Sequence, residues 1–251
     1  MGTPGDPAFE RFSDFEGRMM ALKDIFLNDV PFPYLPQTGI RWKISSQYPN
    51  EGNLDFSAPF EKSLMADPGN ISSTDVRFTP AAGAAVYLRH TWGEKVPAFY
   101  TDPRPDRTAY AYTWIYSPAD QEAGLHFSTH NYGRSEPDMA PPVGEWDYKR
   151  SRVWLNGELV PPPAWDNNGV KPDHETPYAN ENLWSRPPVG ISLRKGWNSL
   201  VIKLPVGRFS TTETRLVKWM FTAMIVTPDA TGLPEGIIYL PDKIHSLNYD
   251  Y

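Results

Sequence analysis

From Gly39 onward the chain is written in period two, and this limits the fold more than any other feature. Apolar residues at every second position build half-buried strands, whereas a helix needs a period of 3.6. The stretches "GIRWKISS" (39–46), "AAVYLRHTW" (84–92), "RTAYAYTWIYS" (107–117), "EAGLHFSTHN" (122–131) and "GIIYLP" (236–241) read as strands. Two more, "RVWLNGELVPPP" (152–163) and "LRKGWNSLVIKLP" (193–205), read as hairpins turning at Asn156-Gly157 and Lys195-Gly196, with Leu200, Ile202 and Leu204 on one face. In "RLVKWMFTAMIVTP" (215–228) one face offers Val217, Trp219, Phe221, Ala223 and Ile225 and the other Leu216, Met220 and Met224. Such a strand is central and covered on both sides. The 27 Pro, 18 Gly, 9 Trp, 13 Tyr and 12 Phe suit short strands with tight connections. An all-β sandwich is the expected class.

The first segment departs from this pattern. In "PAFERFSDFEGRMMALKDIFLNDV", Phe9, Phe12, Met19, Leu22 and Phe26 recur at helical spacing, Phe15 and Ile25 widen the stripe, and Glu16 interrupts it. Asp6-Pro7 supplies a cap and an N1 proline, and "PFPYLP" (31–36) forbids continuation, so an amphipathic helix is expected over about 8–28. Residues 1–36 therefore read as helix and connector, and 37–251 as one sandwich domain, a division that a chain of 251 residues can support.

Composition excludes several functions. A net charge of −6 with no Lys/Arg stripe speaks against nucleic acid. No run approaches the ~18 apolar residues of a membrane span. The N-terminus has neither a basic n-region nor an apolar h-region, so any export signal is expected upstream or already removed. The absence of Cys excludes disulfides and thiolate metal sites. His126 and His130 are four apart, but on a strand that spacing places them roughly 13 Å apart, too far for one zinc. Asp166, Asp173 and Glu181 could support a calcium loop at 166–182, yet their spacing matches no defined motif. No metal or cofactor is expected. Asn70-Ile71-Ser72 forms a glycosylation sequon that matters only in a eukaryotic secretory pathway.

The connections at 132–150 and 161–188 are long for a compact domain and rich in Pro and Trp. Sugar rings stack on Trp and Tyr, so the loop-borne Trp146, Tyr148, Trp165, Tyr178 and Trp184 are the candidate carbohydrate-binding residues. The competing reading folds these rings back onto the sandwich as a cap. No catalytic residue is assigned, because the chain lacks a Gly-x-Ser-x-Gly elbow, a phosphate-cradling Gly-rich loop and a His-Glu-x-x-His pair.

The run from "YLRHTWGEKVPAFY" through "SRVWLNGE", continued by "LRKGWNSLVIKLPVG" and "RLVKWMFTAMIVTPD", resembles the C-terminal region of bacterial family 20 glycoside hydrolases, the β-N-acetylhexosaminidases of Bacteroidetes. The resemblance covers most of residues 9–243. It implies a galactose-binding-like jelly-roll β-sandwich, preceded by the last helix of a catalytic barrel, "FERFSDFEGRMMALKDIFL". It also implies a periplasmic, cell-surface or secreted location. The expected partners are that barrel, against which the helix stripe would pack, and glycans. The family's adjacent Asp-Glu pair and the preceding His-x-Gly-Gly are missing, as the chain has no Asp-Glu and no Gly-Gly dipeptide. A noncatalytic accessory module follows, with an autonomous carbohydrate-binding module as the alternative. Trp197 is then expected to plug the core beside Asn198.

Overall fold

The computed structural model describes residues 40–72, 76–89, 98–129, 143–164, 188–210, 217, 219–229 and 232–243. The expected helix at 8–28 and the candidate calcium loop lie outside them. In chain order the elements are β1 (Arg41–Ser45), β2 (Tyr48–Pro49), the short helix α1 (Glu61–Ala66), β3 (Phe78–Ala82), β4 (Ala85–Arg89), β5 (Arg107–Ser117) and β6 (Gln121–Ser128). There follow β7 (Arg152–Leu155), β8 (Glu158–Leu159), β9 (Val189–Leu193), β10 (Gly196–Val206), β11 (Trp219–Val226) and β12 (Ile238–Leu240). They form two antiparallel sheets. The larger runs β3-β1-β5-β10-β7-β8, with β2 and β12 also paired to β5, and the smaller runs β4-β11-β6-β9.

The spine is the β5–β10 pair, in register from Arg107↔Val206 to Ser117↔Gly196. Alternation along both strands sorts their side chains. Ala109, Ala111, Ile115, Leu200, Ile202 and Leu204 enter the main core with Phe127, Phe221 and Ile225 of the smaller sheet. Tyr110, Tyr112, Trp114 and Val201 join a second cluster with Phe60, Leu64 and Val76. The larger sheet is thus covered on both faces, the outer one by residues between Phe56 and Ile71 and by Val76. The six-residue α1 is too short to stand alone and has no side-chain N-cap bond. Burial of Phe60 and Leu64 holds it in place, at about 1.5–3 kcal/mol per side chain.

Polar ties cross between the sheets. Trp219 Nε1 on β11 donates to the Leu204 carbonyl on β10 at 3.1 Å, and Ile225 N–H donates to the Tyr239 hydroxyl on β12 at 3.1 Å. Trp42 meets Phe221 edge-on at 5.0 Å. Every residue of β11 is buried, as its two apolar faces require.

The Asn156-Gly157 hairpin forms as the sequence indicates. Both residues have positive φ, 53° and 83°, the geometry that favours Asn-Gly in a tight turn. A Cβ at Gly157 would also sit 3.1 Å from the Met65 carbonyl. The second expected hairpin is different. β9 pairs with β6 in the smaller sheet, whereas β10 pairs with β5 and β7 in the larger. Lys195-Gly196 is therefore a corner between sheets. Asn198, fully buried, replaces the missing ladder there: its Oδ1 accepts from Arg194 N–H at 2.9 Å, and its Nδ2 donates to the Arg194 carbonyl at 2.8 Å and the Gly196 carbonyl at 3.2 Å. Trp197, one residue earlier, points the other way. It is half-buried on the outer face against Tyr116 at 5.4 Å, so it does not plug the main core.

Candidate functional site

Where the edges of the two sheets meet, a cleft of about 260 Å³ opens. Three separate segments build it: the exit of β1 (Ser45 to Gln47), the entry to β3 (Arg77 and Thr79), and the stretch from Phe99 to Thr101 that follows β4. Backbone bonds fix each one. Ser46 N–H donates to the Arg77 carbonyl at 3.1 Å, and Phe99 and Tyr100 N–H donate to the Tyr87 and Leu88 carbonyls at 2.7 and 3.2 Å. Phe99 and Tyr100 pack edge to face at 4.9 Å. The Tyr100 hydroxyl crosses from the smaller sheet's edge to donate to the Ser45 carbonyl at 2.7 Å. Burial, with a smaller effect from Tyr48, pushes this phenol far above its usual range, so it remains a neutral donor.

The polar groups of the cleft divide into two sets. Gln47 is committed to its neighbours: Nε2 donates to the Asp102 carbonyl at 3.0 Å and Oε1 accepts from Arg104 N–H at 2.9 Å. Arg77 is exposed, and among the described residues its guanidinium makes no hydrogen bond or ion pair. Beside it, Thr79 and Thr101 supply hydroxyls. The cleft thus combines the partly exposed Tyr100 ring, backed by the buried Phe99, with hydroxyls and one uncommitted cation.

A second polar cluster lies beneath α1 on the outer face of the larger sheet. Lys203 Nζ is 2.9 Å from Glu61 Oε2, with side chains only 6% and 11% exposed. The Tyr110 hydroxyl donates to the same Oε2 and accepts from Ala58 N–H at 3.0 Å. Ser57 Oγ donates to Glu61 Oε1 at 3.0 Å and accepts from Lys203 at 3.2 Å. Desolvation above all, then the bond and charge of Glu61, hold the Tyr110 phenol in its neutral form. With each group tied to the others, the cluster anchors the 55–66 segment to the sheet.

Of the aromatics selected from sequence, Trp146 lies in the core. It is 3% exposed, meets Phe127 edge-on at 5.0 Å and donates its indole N–H to the Val160 carbonyl at 3.2 Å. It presents no face to a ligand. Tyr148 is 41% exposed. Between them the fully buried Asp147 accepts from Thr129 Oγ1, Ser151 Oγ at 2.7 Å, and the N–H groups of Lys149 at 2.8 Å and Ser151 at 3.0 Å, clipping this loop to β6 and β7. Trp165, Tyr178 and Trp184 lie outside the described residues, as does His130, while His126 is buried on β6. Among the described residues no group of three or more His, Asp or Glu side chains is arranged to hold a metal ion, and no helix is long and apolar enough to cross a membrane. Asn70 is exposed, its Nδ2 donating to Asp67 Oδ2 at 3.3 Å.

Sequence reasoning missed the cleft because its walls come from three segments that only the fold unites. The local signal was Phe99-Tyr100, an aromatic pair just outside any strand. Comparisons with models of known protein families and with curated proteins give no match.

Proposed function

We propose that this chain is a noncatalytic accessory module of a β-N-acetylhexosaminidase-like glycoside hydrolase, a galactose-binding-like jelly roll that supports the catalytic barrel and contacts glycan. The observation that carries this reading is the placement of the resembling stretches. They supply β5 and β10, the spine of the larger sheet, and β11 and β6, the centre of the smaller one. The path of the chain supports the jelly-roll type. From β3 to β7, and again from β9 to β12, each successive strand lies in the opposite sheet, as connections that wrap around a double-sheet barrel require. The rim cleft supplies the glycan contact, where C–H groups can meet the partly exposed Tyr100 ring and ring hydroxyls can meet Thr79 and Thr101.

Two measurements test the reading. The purified chain should not hydrolyse aryl β-N-acetylglucosaminides, and the gene's full reading frame should encode a barrel with an adjacent Asp-Glu pair upstream. Turnover that survives purification controls, or a reading frame without a barrel, would overturn it. The cleft and the exposed Tyr148 also favour a second reading, an autonomous carbohydrate-binding module. Glycan affinity in a reading frame lacking the barrel would select it.

A further inference from the structure

We infer that the rim cleft takes an anionic sugar unit, a pyranose bearing one carboxylate or sulfate group, with Arg77 as the partner of the anion. This rests on the glycan-contact part of the proposed function and names the ligand class. Size is the first argument: about 260 Å³ falls just under the ~300 Å³ at which pockets for drug-sized ligands begin. One monosaccharide unit suits that space.

The second argument is the state of the polar groups. Gln47 and Tyr100 already have their partners. The guanidinium of Arg77 has none among the described residues, although Arg104, a short way along the rim, is paired with Asp102 at 2.8 Å. A planar fork of donors matches a carboxylate or sulfate in two parallel bonds and holds it more strongly than it holds a neutral hydroxyl. Thr79 and Thr101 can then serve the ring hydroxyls, and the partly exposed Tyr100 ring its apolar face. A neutral sugar would satisfy Tyr100 and the hydroxyls but leave the cation without a counter-ion.

Titration of the intact chain with methyl glucuronide, N-acetylglucosamine 6-sulfate, neutral N-acetylglucosamine and inorganic sulfate, followed by amide NMR shifts, tests this. Both acidic sugars should perturb residues of the cleft and bind at least about tenfold tighter than the neutral sugar, a difference of ~1.4 kcal/mol. Arg77→Ala should remove that advantage. Arg77→Lys should restore part of it, and added salt should weaken binding of the acidic sugars alone. Since Arg77 is exposed, unchanged melting of both variants is expected and checks that they fold. Equal binding of neutral and acidic sugars, indifferent to Arg77→Ala, would overturn the anionic ligand and leave the glycan contact standing. Sulfate binding as tightly as the acidic sugars would overturn the sugar part, leaving a plain anion site. No shift in the cleft with any saccharide would overturn both this inference and the glycan contact, without touching the association with a barrel.

Discussion

Replacing Asn198 by Ala tests whether one buried amide holds the corner where the chain leaves the smaller sheet for the larger. The wild-type side chain is fully buried and bonds Arg194 at both its N–H and carbonyl, the Gly196 carbonyl, and Asn156 Nδ2, which donates to Asn198 Oδ1 at 2.8 Å. Asn156 in turn accepts from Ser199 N–H through its own Oδ1 at 3.0 Å, so the two amides couple the Asn156-Gly157 turn to this corner. Truncation leaves these partners facing a small void. Water can reach some of them, because Arg194 lies at the surface. If two stay unsatisfied, at 1–3 kcal/mol each, the cost is about 2–6 kcal/mol. For a domain of this size ~3 kcal/mol lowers the melting temperature by about 6–12 °C. Asn198→Asp keeps the accepting contacts but sets a carboxylate oxygen against two carbonyls, and should cost at least as much. Urea titration followed by Trp fluorescence, with calorimetry alongside, gives both numbers. A loss below about 0.5 kcal/mol for Asn198→Ala, the range of ordinary surface changes, would refute the reasoning and leave the corner to backbone geometry alone.

Trp219→Ala should destabilise by about 3–5 kcal/mol, since it empties a fully enclosed site and strands the Leu204 carbonyl; Tyr148→Ala, at an exposed position, should change little, and equal losses in denaturant titration would contradict the core assignment. Glu61→Ala should cost about 3–5 kcal/mol by leaving Lys203 buried without its counter-charge. The double change Glu61→Leu with Lys203→Met should recover most of that loss in a double-mutant cycle; additive losses would mean that the pair is not coupled. Burial raises the phenol pKa of Tyr100, Tyr110, Tyr112 and Tyr239 above the ordinary value of 10.0. Folding thus favours their neutral form, so stability is full below pH ~10 and declines as pH rises beyond it, when only the unfolded chain loses these protons. Phenolate absorbance should show these rings ionising together with loss of near-ultraviolet circular dichroism, and their ionisation in a chain that stays folded would contradict the burial.

The strands were legible because their signal is local. The alternation in Arg107–Ser117 marked β5 to the residue, the double apolar face of Trp219–Val226 marked a buried strand, and Asn156-Gly157 marked its turn. Each follows from backbone preferences acting over a few residues. What the chain does between strands depends on partners far away in sequence. Lys195-Gly196 looks like a hairpin turn but is a corner, because β6 and β5 lie in different sheets and each claims one of its flanking strands. Alternation shows that Trp197 and Asn198 point to opposite faces; only the layering shows that one face is the main core and the other lies under α1. Trp146 sat in a proline-rich loop where sequence allowed either a sugar platform or a cap, and the proximity of Phe127 and Val160 made it a cap. Glu61 and Lys203 give no sign in sequence of belonging together. Their pairing, like the meeting of Arg77 with Tyr100 at the rim, arises only when the sheets close and bring distant segments within the few ångströms over which charges and hydrogen bonds act.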